Sequence, residues 1–494
     1  SMAEKIISPG VFTNEIDQSF LPTAVADIGA VIIGPTLKGP ALVPTVVTSY
    51  SDFQAKFGDV VQSGSDSFQF LTSHAAEEYL KHSDTLTVVR ILDREFSPAT
   101  ATIATSSAEG GATGLPNFDK VSSFTMETLA DGTIMNNADA TGKTNNILES
   151  GSVHNIRFEI TNKNNSRGTF TLLIRAGNDS IKRKQVLERF NNVSLDPNST
   201  DYIAKRVGDQ KFNLKTDGTT QYLELTGSFP NKSRLIRISD VNNLDNYLDA
   251  NGNVRLSTQS GSLPSNGSGS LGGGFNGGSN GFHGFDTLGN SLGISGSVSG
   301  GVNFYENIGS QTQGFTPTDL TTPDGGLAYS QAIDLIGNQD EYDVNLVLLP
   351  GLVHKLHTTV LNKAIDMCED RGDCFAIIDP VEYNLNPSDA VTQAEAKDSN
   401  FAAMYYPWIK ISDSQVAGAQ RWVPPSVVLG GIYAFNDRVA HPWFAPAGLN
   451  RGGITTAIQA QRKLTQGERD TLYDSNVNPI ATFPGQGVTV FGQK

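Results

Sequence analysis

Residues 344–350, VNLVLLP, and 375–379, FAIID, are two nearly unbroken apolar runs, separated by a stretch read as a helix over 352–369. A strand that is apolar at almost every position needs cover on both faces, and such strands belong to sheets sandwiched between helices. Strand, helix and strand in that order form a unit that builds a parallel or mixed sheet. The N-terminal part of the chain supplies the same ingredients. Apolar strands are read at 30–33, 45–48 and 86–92, with a helix over 51–57 that takes Ser51 as N-cap and Gly58 as its stop. A second helix over 67–81 places Phe68, Leu71, Ala75 and Tyr79 on one face.

The last stretch, 400–494, holds all three Trp of the chain, Trp408, Trp422 and Trp443, among Tyr405, Tyr406, Phe435 and Phe444. Aromatic side chains carry the largest apolar areas, so the main core is expected here. MYYPWIKI reads as a strand, Pro424-Pro425 opens a helix running to Asn436, residues 464–473 form a short polar helix, and 487–491 form an alternating strand at an exposed sheet edge.

Between these parts the pattern changes. From Phe96 the sequence turns Ala/Thr/Ser/Gly-rich, then resumes with alternating strands at 124–129, 155–161 and 169–175, a short helix at 187–192 and candidate strands at 202–207 and 222–226. Residues 261–301 hold 15 Gly and nine Ser without periodicity, a composition that cannot bury enough surface to offset chain entropy, and read as a surface excursion. The predicted organisation is an extended arm at 1–22, a first core part at 23–95, an inserted protruding β-rich module at 96–250, a Gly/Ser-rich second insertion or linker at 251–325, and a second core part at 326–494. The fold class is α/β (mixed α+β), with a discontinuous core domain built from both ends of the chain and inserted β-rich protruding domain(s).

Fifty-one acidic against 36 basic residues, a net charge of −15, argue against a phosphate-backbone binder, which needs a basic face. Cys368 and Cys374 are too few for a disulfide framework and lack zinc-site spacing, which points to a reducing cytoplasm. No apolar run reaches the ~20 residues of a spanning helix, and no signal-peptide pattern opens the chain, so a soluble protein is expected. Ser1 before Met2 reads as a cloning scar.

Candidate chemistry is thin. Gly267, Gly269 and Gly272 match G-x-G-x-x-G, but without the strand before and helix after that a dinucleotide site needs. His354 and His357, i and i+3 on the expected helix, could join Asp379 as a metal or acid-base set, but no third ligand motif accompanies them. Cys374 reads as a small core residue before an apolar strand. Hence no catalytic, cofactor-binding or metal residues are expected, and no cofactor. What remains is contact surface: Val11, Phe12, Asn14 and Glu15 of the arm, Val488 and Val490 of the edge strand, and the local basic excess of Arg438, Arg451, Arg462, Lys463 and Arg469.

Several separate motifs share one resemblance. YYPW, VPPS, APAG with GLNRGGI behind it, ERD-LY, VNPI and FPGQGV ending in GQK resemble, in this order, the core of the contractile tail sheath proteins of myophages. SPGVFTNEID and GAVIIGPTLKGPALVPTVVTSYSDFQAKFG are similar to the sheath arm and first core strands, so the resemblance covers roughly residues 6–95 and 325–494. It implies a structural subunit, not an enzyme, that polymerises as six-fold rings around an inner tail tube and contracts to drive the tube through the host envelope. The implied partners are further copies of itself, the inner tube protein, and the baseplate and tail terminator proteins, with no nucleic acid and no membrane insertion. The implied location is the virion tail, after synthesis in the host cytoplasm. The insertions would face outward and 400–494 inward. Family members continue past the GQK segment, so the chain reads as truncated, with one half of an arm exchange missing. The alternative reading is a coat or tail protein with a carbohydrate-binding or hydrolytic inserted domain.

Overall fold

The computed structural model describes residues 28–63, 66–104, 122–137, 151–164, 166–180, 182–241, 263–264, 273–281, 315, 317–322 and 324–494. Its organising element is an eight-stranded sheet in the order Thr45–Val47, Leu86–Arg90, Gly29–Gly34, Val344–Val353, Phe375–Asp379, Ala402–Tyr406, Val477–Phe483, Gly487–Val490. The inner strands are parallel, and an antiparallel strand closes each side. Distant parts of the chain meet at its centre, where Val31 lies opposite Thr87 on one side and Val347 on the other.

The apolar runs follow from this position. Successive side chains point to opposite faces. Val31, Val89, Val347, Leu349, Ala376 and Ile378 therefore enter one core, and Ala30, Ile32, Val88, Leu346, Leu348 and Ile377 enter the other. Helices Gly326–Ile336 and Thr358–Arg371 cover the first face, while Tyr50–Phe57, Leu71–Leu80 and Pro425–Val439 cover the second. Pro425–Val439 approaches its neighbours closely through two glycines: a Cβ on Gly431 would sit 2.6 Å from the Glu78 carbonyl oxygen, and one on Gly430 would sit 2.7 Å from Leu348 Cδ1.

Several local expectations shift. Ser49, not Ser51, caps Tyr50–Phe57, its hydroxyl accepting from Asp52 N–H at 3.1 Å. Asp66–Gln69 is a strand, and the helix starts only at Leu71. Val344–Val353 continues through Pro350-Gly351 to pair Val353 with Asp379, so the following helix begins at Thr358 rather than 352. Residues 187–192, read as a helix, lie in the strand Val186–Ser194, because apolar Leu187, Phe190 and Val193 at helical spacing are outweighed by pairing with Thr169–Ala176. Residues 202–207, read as a strand, hold the helix Ile203–Val207.

The inserted part is antiparallel. One sheet runs Val186–Ser194, Thr169–Ala176, Ile156–Asn164, Gly273–Gly274, and another runs Ile236–Val241, Ser122–Asp131, Pro98–Ala104. The Gly/Ser-rich stretch contradicts its reading as a surface excursion where it is described. Phe275 is fully buried, edge-on to Phe158, and residues 276–280 bond to Thr100, Ser97 and Asp93 backbone groups. Glycines here serve as fit, since a Cβ on Gly274 would meet the Asn137 backbone at 2.6 Å. The rest of 261–301 lies outside the described residues.

Core and insertion are joined through Arg90. Its fully buried guanidinium donates to the carbonyls of Thr36 (3.2 Å), Gly39 (2.6 Å) and Asp131 (2.7 Å), and Asp131 accepts from Ala41 N–H at 2.8 Å.

Candidate subunit-contact surface

The titratable residues singled out in the sequence come together only in part. His354 lies ahead of the helix, not on it, and its ring nitrogens sit 2.9 Å from Gln393 Oε1 and 3.1 Å from Asn362 Oδ1. His357 is the N-cap residue, its Nδ1 accepting from Val353 N–H at 3.0 Å, and burial pushes its imidazole down to about 4. Asp379 faces elsewhere: it accepts from both Ser426 N–H (2.9 Å) and Ser426 Oγ (2.5 Å), so it anchors the start of Pro425–Val439. Burial pushes its carboxyl up to about 7 against those donors. Cys368 and Cys374 are buried free thiols, and contact with Cys374 pushes Cys368 above the usual thiol range. No group of three or more potential metal ligands occurs among the described residues. These polar groups organise loops and helix starts.

The expected contact residues divide. Val11, Phe12, Asn14 and Glu15 lie outside the described residues. Gly487–Val490 is the last strand of the sheet, but the chain itself covers its outer edge. Gly448 N–H donates to Val490 O at 2.8 Å, Val490 N–H to Gly452 O at 2.8 Å, and Ile454 N–H to Val488 O at 3.0 Å. Val488 and Val490 point into the core. The expectation of a free edge there is therefore corrected: the glycines of GLNRGGI let the loop return along the strand and satisfy its hydrogen bonds. Among the basic residues, Arg462 pairs with Glu468, Arg469 lies over Phe483 and Phe491 and donates to Leu464 O at 3.1 Å, and Lys463 is exposed.

Arg438 and Arg451 stand differently. Arg451 lies 4.7 Å above the Phe444 ring and Arg438 lies 5.9 Å from that of Phe435, and neither has an ion-pair partner among the described residues. Between them the chain raises an aromatic knob. Trp443 is 77% exposed, stacks on His441 at 4.3 Å and neighbours Phe444 at 6.4 Å, with Val439 and Leu449 exposed beside it. Buried Asn436 holds the knob, donating to Phe444 O at 2.8 Å. The assignment of all three Trp to the core is thus corrected: Trp408 is buried and donates to Val381 O at 2.9 Å, whereas Trp443 projects.

A second surface went unnoticed. The loops before Val344–Val353 and Phe375–Asp379 lie side by side at one end of the sheet, tied by Arg371, which donates to Tyr342 O at 2.9 Å and to Asp373. With the last turn of the helix Thr358–Arg371 they present Asp340, Glu341, Asp343, Glu369 and Asp370, all exposed and without ion-pair partners among the described residues. A groove of about 650 Å³ separates residues 40–45 from the hairpin Lys211–Asp217/Thr220–Thr226; in it Glu127 is held by Lys211 and Arg237.

This is a mixed α/β protein with antiparallel insertions that exposes an aromatic, cationic knob and an acidic face. Residues 324–494 match the family model described as the phage tail sheath protein central domain. The chain is 28% identical over 191 residues to the tail sheath protein of Vibrio phage KVP40, covering 33% of this chain and 28% of that one. It is 26% identical over 188 residues to the tail sheath protein of Enterobacteria phage T4, again 33% and 28%. These matches thus take in little more than a quarter of the relatives' length. Among solved structures it is similar to the sheath tail protein from Listeria innocua, with a TM-score of 0.45 and 11% identity over 94% of this chain and 68% of that one. It is also similar to the contracted sheath of an extracellular contractile injection system, with a TM-score of 0.26 and 28% identity over 31% and 40%.

Proposed function

We propose that this protein is a structural subunit of a contractile tail, polymerising as rings around an inner tube and contracting to drive that tube through a host envelope. The observation that carries the reading is the sheath central-domain match over 324–494, the region that supplies the larger share of the central sheet. The reading is not enzymatic, and it places the work in contacts between copies. The chain divides into a core formed by 23–95 and 326–494, with insertions at 96–250 and 251–325 facing outward, an arm at 1–22, and 400–494 toward the tube. The partners are the inner tube protein, the baseplate and the tail terminator; Lys463, Arg462 and Arg469 belong to contact surface near the sheet edge. The virion tail is its place after synthesis in the host cytoplasm.

Electron microscopy of the protein mixed with its inner tube protein tests this. Regular rings or striated tubes of larger diameter than the bare tube are expected. Bare tubes at every mixing ratio, with the protein left in solution, sink the reading.

A further inference from the structure

We infer that the knob around Trp443 is one half of a contact between copies of this chain, and that the other half is the acidic face formed by the last turn of the helix Thr358–Arg371 and the loops before Val344–Val353 and Phe375–Asp379. This rests on the sheath-subunit reading and names the surfaces it would use.

Three observations lead there. The knob is preorganised: His441, Trp443 and Phe444 stack in sequence, Arg451 lies on Phe444, and Asn436 and the strand Gly487–Val490 hold the loop's backbone. A rigid aromatic group loses little entropy on docking, and aromatic and Arg anchors dominate interface energies. The knob is cationic and unpaired among the described residues, since Arg438 and Arg451 meet no carboxylate there and Arg451 Nε is buried without a hydrogen-bond partner there. Finally, the matching charge exists on the same chain and has no ion-pair partner among the described residues. Glu369 and Asp370 lie in the last turn of the helix Thr358–Arg371, where the dipole already disfavours negative charge, and Asp340, Glu341 and Asp343 flank Tyr342, whose carbonyl accepts from Arg371 at the end of that helix. A cationic partner complements these carboxylates, and complementary charge selects it.

The two surfaces are different patches, so the contact is heterologous. Each copy that docks its knob leaves its own acidic face open for the next, and such a contact closes into a ring or continues as a helix.

The test is a charge exchange in the full chain. Three variants are compared with wild type by sedimentation velocity over rising concentration: Trp443→Ser with Arg451→Glu, Arg438→Glu with Arg451→Glu, and Glu369→Lys with Asp370→Lys. All these positions are at least partly exposed, and circular dichroism melting checks the fold. Each variant alone should associate at least tenfold more weakly than wild type. Mixing the second with the third should restore association to within a few-fold. Unchanged association of the Trp443 variant, or no recovery in the mixture, overturns the pairing. As a second readout, Trp443→Cys protein mixed with Asp370→Cys protein should form a disulfide-linked dimer on mild oxidation, and its absence beside a wild type that assembles overturns the contact alone. Wild type that neither self-associates nor assembles on the inner tube overturns the sheath reading and the contact together.

Discussion

Replacing Trp443 by serine removes a ring that is 77% exposed, so the expected change in stability is within about 0.5 kcal/mol. Val490→Ala, in contrast, opens a void in a fully buried position and should cost about 1–3 kcal/mol by urea denaturation. A large stability loss for Trp443→Ser would show that the knob packs inward. Asp379 supplies a pH dependence. Its folded carboxyl is raised to about 7 by burial, against about 3.9 when unfolded, so the folded state holds the proton more tightly. The stability tied to this proton is fully present below pH about 4 and is lost as pH rises through about 7. Asp379→Asn should therefore gain stability relative to wild type between pH 4.5 and 8, by at most a few kcal/mol at about 1.4 kcal/mol per pKa unit. A difference independent of pH would rule this out. Neither residue's situation could be read from its neighbours in sequence: an aromatic is assigned to the core by default, and Asp379 finds its donors 47 positions away on Ser426.

At the scale of elements, the helix Pro425–Val439 shows what a small residue does. Gly431→Val would drive a side chain against the Glu78 backbone carbonyl, which cannot rotate away, and overpacking of this kind costs about 1–3 kcal/mol. The melting temperature should fall by several degrees, whereas Gly467→Ala, where a Cβ meets nothing within 4 Å, should leave it nearly unchanged. Pro-Pro at the start and small residues along its length made this helix legible. The cover on Gly487–Val490 was not legible, because an alternating strand near a chain's end looks the same whether a loop returns along it or solvent does.

For the whole molecule, Arg90 is the joint between core and insertion. Arg90→Met would leave the carbonyls of Thr36, Gly39 and Asp131 without that donor around a fully buried side chain, at about 1–3 kcal/mol for each group left unsatisfied. Limited proteolysis should then cut between 91 and 98 faster than in wild type, and unchanged cutting would show that the joint holds by apolar packing. Local pattern sufficed for the inner strands Gly29–Gly34, Val344–Val353 and Phe375–Asp379, because a strand covered on both faces must be apolar throughout, and that requirement is written in consecutive residues. The same holds for the alternating strands of the insertion read at 124–129, 155–161 and 169–175. What only the tertiary structure decided depends on partners far away in sequence: that Val186–Ser194 is a strand, that a Gly-rich segment packs Phe275 against Phe158, that the last strand's edge is filled, and that Trp443 faces outward. Burial and edge pairing are properties of what arrives from elsewhere in the chain, and no window of neighbouring residues contains that information.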